Sequence, residues 1–220
     1  MFRSEIRGLC LILDADHLRT DVVTAAEAAL RGGVRFFQYR NKSGSRRATY
    51  DAALRLGGVL RRSGALFIVN DHTDIAMAVD ADGVHLGQDD LPLAQARKLL
   101  GAERIIGLST HSVDQARAAQ TAGADYIGYG PVFPTATKDA GPVQGVDTLR
   151  QVRAAVTVPI IAIGGITDDT LQDVIRASAD GAAVVSAILN APDIAAAAGR
   201  LSDRFRDREV RAHTRWRGKQ

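Results

Sequence analysis

Short apolar runs alternate with longer amphipathic stretches along almost the whole sequence. The segments between the runs carry apolar residues three and four positions apart, often with Ser, Thr or Asp before them and Gly after them, which indicates capped helices. The alternation predicts βα units that repeat around a parallel sheet. The runs predicted as strands are GLCLIL (8–13), VRFFQYR (34–40), ALFIVN (65–70), GVHLG (83–87), RIIGLS (104–109), DYIGYG (125–130), PIIAIG (159–164) and GAAVVSA (181–187).

A weak internal repeat favours the same architecture. The stretches AVDADGVHLG, TAGADYIGYG and RASADGAAVVS each pass from a helix end through Ala-Asp into a buried strand. Eight such strands, buried on both faces and each followed by a helix, close most simply into a single-domain (β/α)8 TIM barrel. A doubly wound open sheet is the alternative, but the sequence has no G-x-G-x-x-G after the first strand and no P-loop.

Composition places the chain among ordinary globular proteins. At 220 residues and 46% hydrophobic content, one fold of this size buries about 70 to 75% of its unfolded surface. Apolar runs stop well short of the ~18 residues of a membrane span, and no signal peptide is recognisable. The single Cys10 excludes an internal disulfide and is expected to be a small buried side chain in the first strand. We therefore expect a cytoplasmic protein with no membrane partner.

The C-terminal end is the most basic part of the chain, although the formal net charge is only +3. No linker divides the sequence, so a barrel domain is predicted over residues 1–203 and a basic tail over 204–220. Clustered arginines beside the only tryptophan would suit a nucleic-acid arm. The solvated end of a last helix is the simpler interpretation, and no nucleic-acid partner is expected.

Polar side chains follow the predicted strands at their carboxyl ends, which in a TIM barrel converge on one functional mouth. Arg40, Lys42 and Lys138 supply positive charge suited to a diphosphate. The full set is Gln38, Arg40, Asn41, Lys42, Asn70, Asp71, Gln88, Asp89, Asp90, Ser109, His111, Thr135, Thr137, Lys138, Gly164, Gly165, Val185 and Ser186.

Asp71 and Asp90 follow adjacent strands, so their carboxylates are expected to face each other. Two such charges at ~4 Å repel by about 4 kcal/mol at an effective dielectric of ~20. A divalent cation would offset this repulsion. Oxygen ligands without a His or Cys cluster favour Mg²⁺ over zinc. Strand alternation does not decide between Asp89 and Asp90 as the second ligand.

A second anion site is predicted at AIGGIT (162–167) and VVSAIL (184–189). Loops after strands seven and eight of such barrels commonly bind phosphate through backbone N–H groups, and Gly165 permits close approach. A plain strand-to-helix turn explains the glycine pair equally well when it is considered alone. Two anion sites at one mouth indicate an enzyme that joins two phosphorylated molecules, or that cleaves a diphosphate beside another phosphate.

Seven motifs in order resemble the thiamine phosphate synthase family over Gly8 to Leu189. They are FQYRNK, FIVND, ADGVHLGQDDLP, IGLSTHS, GYGPVFPTATK, AIGGIT and DGAAVVSAIL. The resemblance implies condensation of 4-amino-5-hydroxymethyl-2-methylpyrimidine diphosphate with hydroxyethylthiazole phosphate to thiamine phosphate and pyrophosphate. In such a dissociative path, diphosphate leaves first and the thiazole nitrogen captures a pyrimidine cation.

The resemblance also assigns roles to residues. It implies that Gln38 contacts the pyrimidine and that Asp71 and Asp90 ligate Mg²⁺, with the family pattern favouring Asp90 over Asp89. The diphosphate would be held by Arg40, Lys42, Asn70, Ser109 and Lys138. The thiazole phosphate would lie beside Thr135 and Thr137 and accept from amides of Gly165, Val185 and Ser186. The candidate catalytic residues are Lys138, Arg40, Lys42 and Ser109, and Tyr39, Asn41 and Ala136 complete the predicted substrate-binding set.

Other functions, and other roles for single polar residues, fit the sequence less well. A thiazole tautomerase would be expected to lack the diphosphate cations, and a phosphate-sensing barrel would leave the acid pair unexplained. Ser109, His111 and Asp114 are too close in sequence, without a G-x-S-x-G elbow, to indicate a hydrolase. His85 is expected to be a satisfied barrel histidine. Asp14 and His17 could reach the mouth, or could begin a loop and cap the first helix, and the cap is the favoured interpretation. A homo-oligomer is compatible with a barrel of this size.

Overall fold

The computed structural model describes residues 6–135 and 141–217, with side chains described as far as Arg206. Within these ranges, eight parallel strands pair in chain order, and the last pairs with the first to close a barrel. The (β/α)8 prediction is confirmed. The strands are β1 (Gly8–Asp14), β2 (Phe36–Arg40), β3 (Leu66–Asn70), β4 (Gly83–Leu86), β5 (Ile105–Thr110), β6 (Tyr126–Tyr129), β7 (Ile160–Ile163) and β8 (Gly181–Val184).

Helices follow every strand and form the outer layer. They are α1 (Val22–Arg31), α2 (Arg46–Arg62), α3 (Thr73–Ala78), α4 (Leu93–Leu100), α5 (Val113–Thr121), α6 (Gly145–Ala155), α7 (Leu171–Arg176), α8 (Ser186–Leu189) and α9 (Ile194–Arg217). In the described ranges, no helix combines the length and apolar character that a membrane crossing requires.

Two boundaries differ from the sequence prediction. The eighth strand ends at Val184, so the predicted run 181–187 is too long, and Ser186 already begins α8. Both segments are mostly apolar, and periodicity alone does not separate a short apolar strand from an apolar helical turn. Helix α9 continues through position 204 without interruption, and Phe205 is buried in the core. The predicted boundary at 203/204 therefore falls inside one helix.

Side-chain alternation divides the core into two layers. Leu9, Leu11 and Leu13 of β1 point outward into the layer between barrel and helices. Cys10 and Ile12 point inward and pack in the barrel interior with Phe36 and Tyr126 among others. This period of two is what a strand buried on both faces imposes.

Small residues make room for aromatic rings inside the barrel. A Cβ on Gly107 of β5 would lie 2.2 Å from the Tyr126 ring, and one on Gly128 would lie 3.0 Å from the His85 ring. The Phe36 and Tyr126 rings meet edge to face with centroids 5.9 Å apart. Aromatic rings consequently fill the barrel interior around Phe36, His85 and Tyr126.

The aspartates of the Ala-Asp repeat connect neighbouring strands. An aspartate precedes each of three even-numbered strands, namely Asp82 before β4, Asp125 before β6 and Asp180 before β8. Their carboxylates accept the backbone N–H of a residue on the preceding strand, namely Phe67 at 2.7 Å, Ile106 at 2.8 Å and Ile160 at 2.8 Å. Two of these carboxylates also bind an arginine, Arg97 to Asp125 at 2.5 Å and Arg153 to Asp180 at 2.7 Å. The repeat therefore joins neighbouring strands at the amino-terminal end of the barrel.

We expect Asp125→Ala to lower the free energy of unfolding by about 3 to 5 kcal/mol, because it leaves a buried N–H and a partly buried arginine without their partner. The matched control is Asp147→Ala, since the Asp147 carboxylate also pairs with an arginine, Arg150, but is 91% exposed. Its free energy of unfolding should remain almost unchanged. Urea denaturation followed by circular dichroism measures both variants, and equal losses would contradict the proposed strand-joining role.

Candidate active site

A cavity of about 170 Å³ lies between the barrel interior and the carboxyl ends of the strands. Apolar side chains line its depth, among them Cys10, Ile12 and Phe36, and polar groups surround its mouth. The structure thus brings together predicted residues from six different strand ends. The predicted substrate-binding residues that line the cavity are Gln38, Arg40, Asn70, Ser109, Thr135, Gly165, Val185 and Ser186.

The two acids predicted to face each other do so. The carboxyls of Asp71 and Asp90 are joined by a hydrogen bond, and Asp90 also accepts the backbone N–H of Gly87 at 2.6 Å. Lys42 places its ammonium on the Asp71 carboxylate. Burial, and then the neighbouring Asp71 carboxyl, raise the pKa of Asp90 above its usual value. Asp89 is exposed, so the pairing selects Asp90.

The donor set at this point fits a hard divalent cation. A hydrogen bond between two carboxyls needs a shared proton, and a cation that takes the place of that proton would relieve the same repulsion. In residues 6–135 and 141–206, no group of three or more His, Cys, Asp or Glu side chains forms a metal site. Two carboxylate ligands would leave most of the coordination positions of an Mg²⁺ ion to water and to substrate phosphate oxygens, as is usual for Mg²⁺. Metal binding itself remains a prediction.

Asp14 reaches the mouth, which is the less favoured of its two predicted positions. Its role as a cap of α1 is wrong, because Asp21 caps that helix through the N–H groups of Val23 and Thr24. Asp14 is instead 2% exposed, lines the cavity, and accepts a hydrogen bond from Arg40 Nη1 at 2.5 Å. Cys10 and Ile12 point inward, and the same alternation along β1 predicts that Asp14 also points inward.

A chain of hydrogen bonds crosses the cavity wall. His85 Nδ1 lies 2.9 Å from the Tyr126 hydroxyl, and His85 Nε2 lies 2.9 Å from Ser109 Oγ. Gln38 also hydrogen-bonds to Tyr126, whose pKa burial raises well above its usual value. The expectation of a satisfied barrel histidine is confirmed. Ser109 is bonded to His85 and not to the His111 of the rejected hydrolase set, whose Nδ1 donates to the Gly130 carbonyl at 2.7 Å.

Some predicted residues lie away from the cavity. Tyr39 alternates outward from Gln38 and is buried in the layer between barrel and helices, where its hydroxyl bonds to Asn41. Asn41 also accepts the N–H of Gly44 at 2.9 Å. Neither side chain lines the cavity, so the structure does not bring these two predicted substrate contacts to the site. The remaining predicted residues, Ala136, Thr137 and Lys138, lie outside the described residues.

The beginning of the β6–α6 loop packs tightly on the end of β7. The N–H groups of Val132 and Phe133 donate to the carbonyls of Ile163 and Gly164 at 2.9 and 3.0 Å. Gly164 and Gly165 both have positive φ, at 95° and 65°. A Cβ on Gly164 would lie 2.5 Å from Pro131, and one on Gly165 would lie 2.3 Å from the Pro134 carbonyl oxygen. The glycine pair is therefore required for loop packing as well as for access to its amides.

Comparison with known proteins agrees with this geometry. A family model described as thiamine monophosphate synthase matches residues 9–188. The thiamine-phosphate synthases of Chloroflexus aurantiacus and Shouchella clausii are 51% and 48% identical, over 80% and 84% of this chain and 81% and 89% of their own. The solved thiamine phosphate pyrophosphorylase from Pyrococcus furiosus has a TM-score of 0.86 at 37% identity, covering 94% of this chain and 98% of that one. The matched region contains the whole site.

Gly165→Ala is expected to displace the loop that begins at Pro131, because an alanine there combines strain at positive φ with a clash against Pro134. We expect a loss of about 1 to 3 kcal/mol in the free energy of unfolding. Gly141→Ala is the control, since Gly141 also has a positive φ of 70°, but no described atom beyond its chain neighbours lies within 4 Å of its Cβ position. Thermal denaturation distinguishes backbone strain alone from the clash, and equal losses would exclude the clash.

Cys10 should be unreactive in the folded protein. Burial raises the pKa of its thiol, so at pH 8 the group is protonated, and the thiolate is the reactive form. We expect a chromogenic disulfide reagent to detect no fast-reacting thiol in the native protein and one thiol per chain in denaturant. Rapid reaction of the native protein would contradict the buried, protonated state.

Proposed function

The chain belongs to the thiamine monophosphate synthase family and is a transferase of thiamine biosynthesis, and we propose that it uses the cavity for a dissociative, Mg²⁺-assisted substitution. In this reaction, 4-amino-5-hydroxymethyl-2-methylpyrimidine diphosphate loses pyrophosphate. The nitrogen of hydroxyethylthiazole phosphate then forms the new C–N bond of thiamine phosphate. The observation that carries this proposal is that one small cavity is lined both by Arg40 and Asn70 and by the glycine and helix-start residues Gly165 and Ser186, two groups that suit different anions.

The first surface suits the diphosphate of the pyrimidine substrate. Arg40 and Asn70 line the mouth, and Lys42 lies at the neighbouring acid pair. Negative charge grows on the departing diphosphate as the C–O bond breaks, so donors aimed at it stabilise the transition state more than the bound substrate. Mg²⁺ held by Asp71 and Asp90 would neutralise phosphate oxygens of the leaving group. We assign Lys138 to the same role on the basis of the family pattern.

The second surface suits the thiazole phosphate. Gly165, Val185 and Ser186 line the opposite part of the mouth, together with Thr135. Helix α8 begins at Ser186, and the first amides of a helix have no acceptor within it. Backbone amides bind a monophosphate without adding a fixed charge that would compete for the diphosphate. Their placement favours a distinct ligand in each half of the site.

The depth of the cavity suits the pyrimidine ring. It offers apolar contacts from Ile12 and Phe36 and one amide, Gln38, which is 6% exposed and bonded to Tyr126. An aromatic heterocycle needs this combination of apolar walls and few oriented polar groups. No side chain is needed as a covalent nucleophile, because holding the thiazole nitrogen near the reacting carbon supplies much of the acceleration.

The thiazole tautomerase interpretation is disfavoured by the acid pair. A tautomerase acts on one phosphorylated molecule and would not explain why Asp71 and Asp90 are brought into contact beside Lys42. The two curated relatives reported above are thiamine-phosphate synthases, and their sequences are 51% and 48% identical to this chain over most of its length. Both observations support the two-substrate reaction.

The test is the synthase reaction itself with and without Mg²⁺. We expect thiamine phosphate and pyrophosphate in equal amounts only when the metal is present. Asp71→Asn should reduce kcat/KM by at least about a hundredfold, since the loss of several kcal/mol of charge stabilisation corresponds to that factor. Asparagine is chosen because Asp71 has a φ of 64°, which Asn tolerates better than Ala.

Asp89→Asn is the matched control, because Asp89 is the exposed neighbour of Asp90. It should leave kcat/KM within a factor of a few of wild type. Product formation at full rate in the presence of a chelator would overturn the role of the metal. The absence of product under all conditions would overturn the proposed function as a whole.

A further inference from the structure

We propose that Asp14 is a positioning residue that holds the Arg40 guanidinium in the orientation required for the diphosphate. This inference rests on the proposed function, because it takes the ligand of Arg40 to be a diphosphate. Asp14 ends β1 and Arg40 ends β2, and the two residues are direct partners in the register of these neighbouring strands. The pairing is therefore fixed by the barrel and not by a flexible loop.

The Asp14 carboxylate is itself fully constrained. Its Oδ2 accepts from Arg40 Nη1 at 2.5 Å, and its Oδ1 accepts the backbone N–H of Asp16 at 3.1 Å. The backbone N–H of Ala15 donates to the backbone carbonyl of Arg40 at 2.9 Å. His17 Nδ1 lies 3.6 Å from Oδ1. Because both oxygens are engaged, the carboxylate cannot rotate without breaking a contact.

A second contact between the same two loops supports the rigid arrangement. The Ser43 hydroxyl, which follows β2, donates to the carboxylate of Asp16, which follows β1. The β1–α1 and β2–α2 loops are thus joined both at the cavity wall and at the surface. Arg40 lines the cavity. An arginine that is free to rotate loses rotamer entropy when a ligand orders it, and the fixed carboxylate removes part of that cost before the ligand binds.

Stability alone does not explain the pair. Its side chains are only 16% and 3% exposed, and the desolvation of a buried ion pair commonly cancels its attraction. The net charge of the site does not explain the Asp14–Arg40 pair either, since a carboxylate beside an anion site repels the anion. Simple electrostatics therefore predicts tighter anion binding after Asp14 is neutralised, whereas a positioning role predicts weaker binding. The sign of the change separates the two explanations.

The experiment measures the affinity for inorganic pyrophosphate in the presence of Mg²⁺ by isothermal titration calorimetry, together with kcat/KM for thiamine phosphate formation. We expect Asp14→Asn to raise the Kd for pyrophosphate about tenfold, which corresponds to one misaligned charge-assisted hydrogen bond. It should lower kcat/KM by about a hundredfold. Combined with Arg40→Gln, it should add little to the effect of Arg40→Gln alone, because Asp14 acts through Arg40.

Asp125→Asn is the matched control. Asp125 pairs with Arg97 at the same 2.5 Å, with side chains 25% and 3% exposed, but at the amino-terminal end of the barrel. It is expected to lower the melting temperature and to leave the affinity for pyrophosphate unchanged. If Asp14→Asn behaves in the same way, or binds pyrophosphate more tightly than wild type, the positioning role is overturned.

The two proposals fail separately. A wild-type protein that makes thiamine phosphate while Asp14→Asn retains full affinity and rate overturns only the positioning role. A wild-type protein that makes no thiamine phosphate overturns the proposed function. In that case, the pyrophosphate titrations of wild type, Asp14→Asn and the double variant still decide whether Asp14 acts through Arg40, since binding requires no turnover.

Discussion

The closed register of the parallel barrel is the constraint on which the site depends. Each strand is hydrogen-bonded to both neighbours, so its inward side chains alternate strictly with its outward ones. Cys10 and Ile12 therefore determine that Asp14 faces inward, and Gln38 determines the same for Arg40. A shift of one residue in β1 would place Asp14 among the helices and break its alignment with Arg40. The chemistry of the mouth is in this sense a consequence of strand pairing.

The two ends of the barrel use carboxylates for different purposes. At the amino-terminal end, Asp82, Asp125 and Asp180 accept backbone N–H groups of preceding strands and join them. At the carboxyl end, Asp71 and Asp90 are brought against each other. The first arrangement satisfies donors that would otherwise be buried without partners. The second brings like charges together, which a fold selected for stability alone would avoid.

The sequence was sufficient for the architecture and for most of the mouth, because both follow from periodicity. The eight strands, the meeting of Asp71 with an acid that follows the fourth strand, and the interior position of His85 all follow from counting positions along strands and from the order of strands. The choice of Asp90 over Asp89 does not follow from them, because strand alternation leaves both residues open. The end of β8 was not predictable, since the run from Gly181 to Leu189 is mostly apolar in both its strand and its helical part. The sequence leaves both the mouth and a helix cap open for Asp14, and it favours the cap because an aspartate before a helix suggests one. The cap is wrong because α1 begins later and Asp21 caps it. Tyr39 was placed at the site although its position next to Gln38 already required it to point outward.

The charge balance of the rim supports the requirement for a cation. Arg40 is paired with Asp14, and Lys42 is in contact with the joined carboxyls of Asp71 and Asp90. Among the described residues of this rim, two side-chain cations thus stand against three carboxyl groups, so these five side chains alone offer a diphosphate no excess of positive charge. Desolvated phosphate oxygens beside such a group are unfavourable unless further positive charge accompanies them. A divalent ion held by Asp71 and Asp90 would supply that charge and would also relieve the repulsion between the two acids. On the proposed function, this balance would explain why paired acids lie at a site whose ligand is itself an anion.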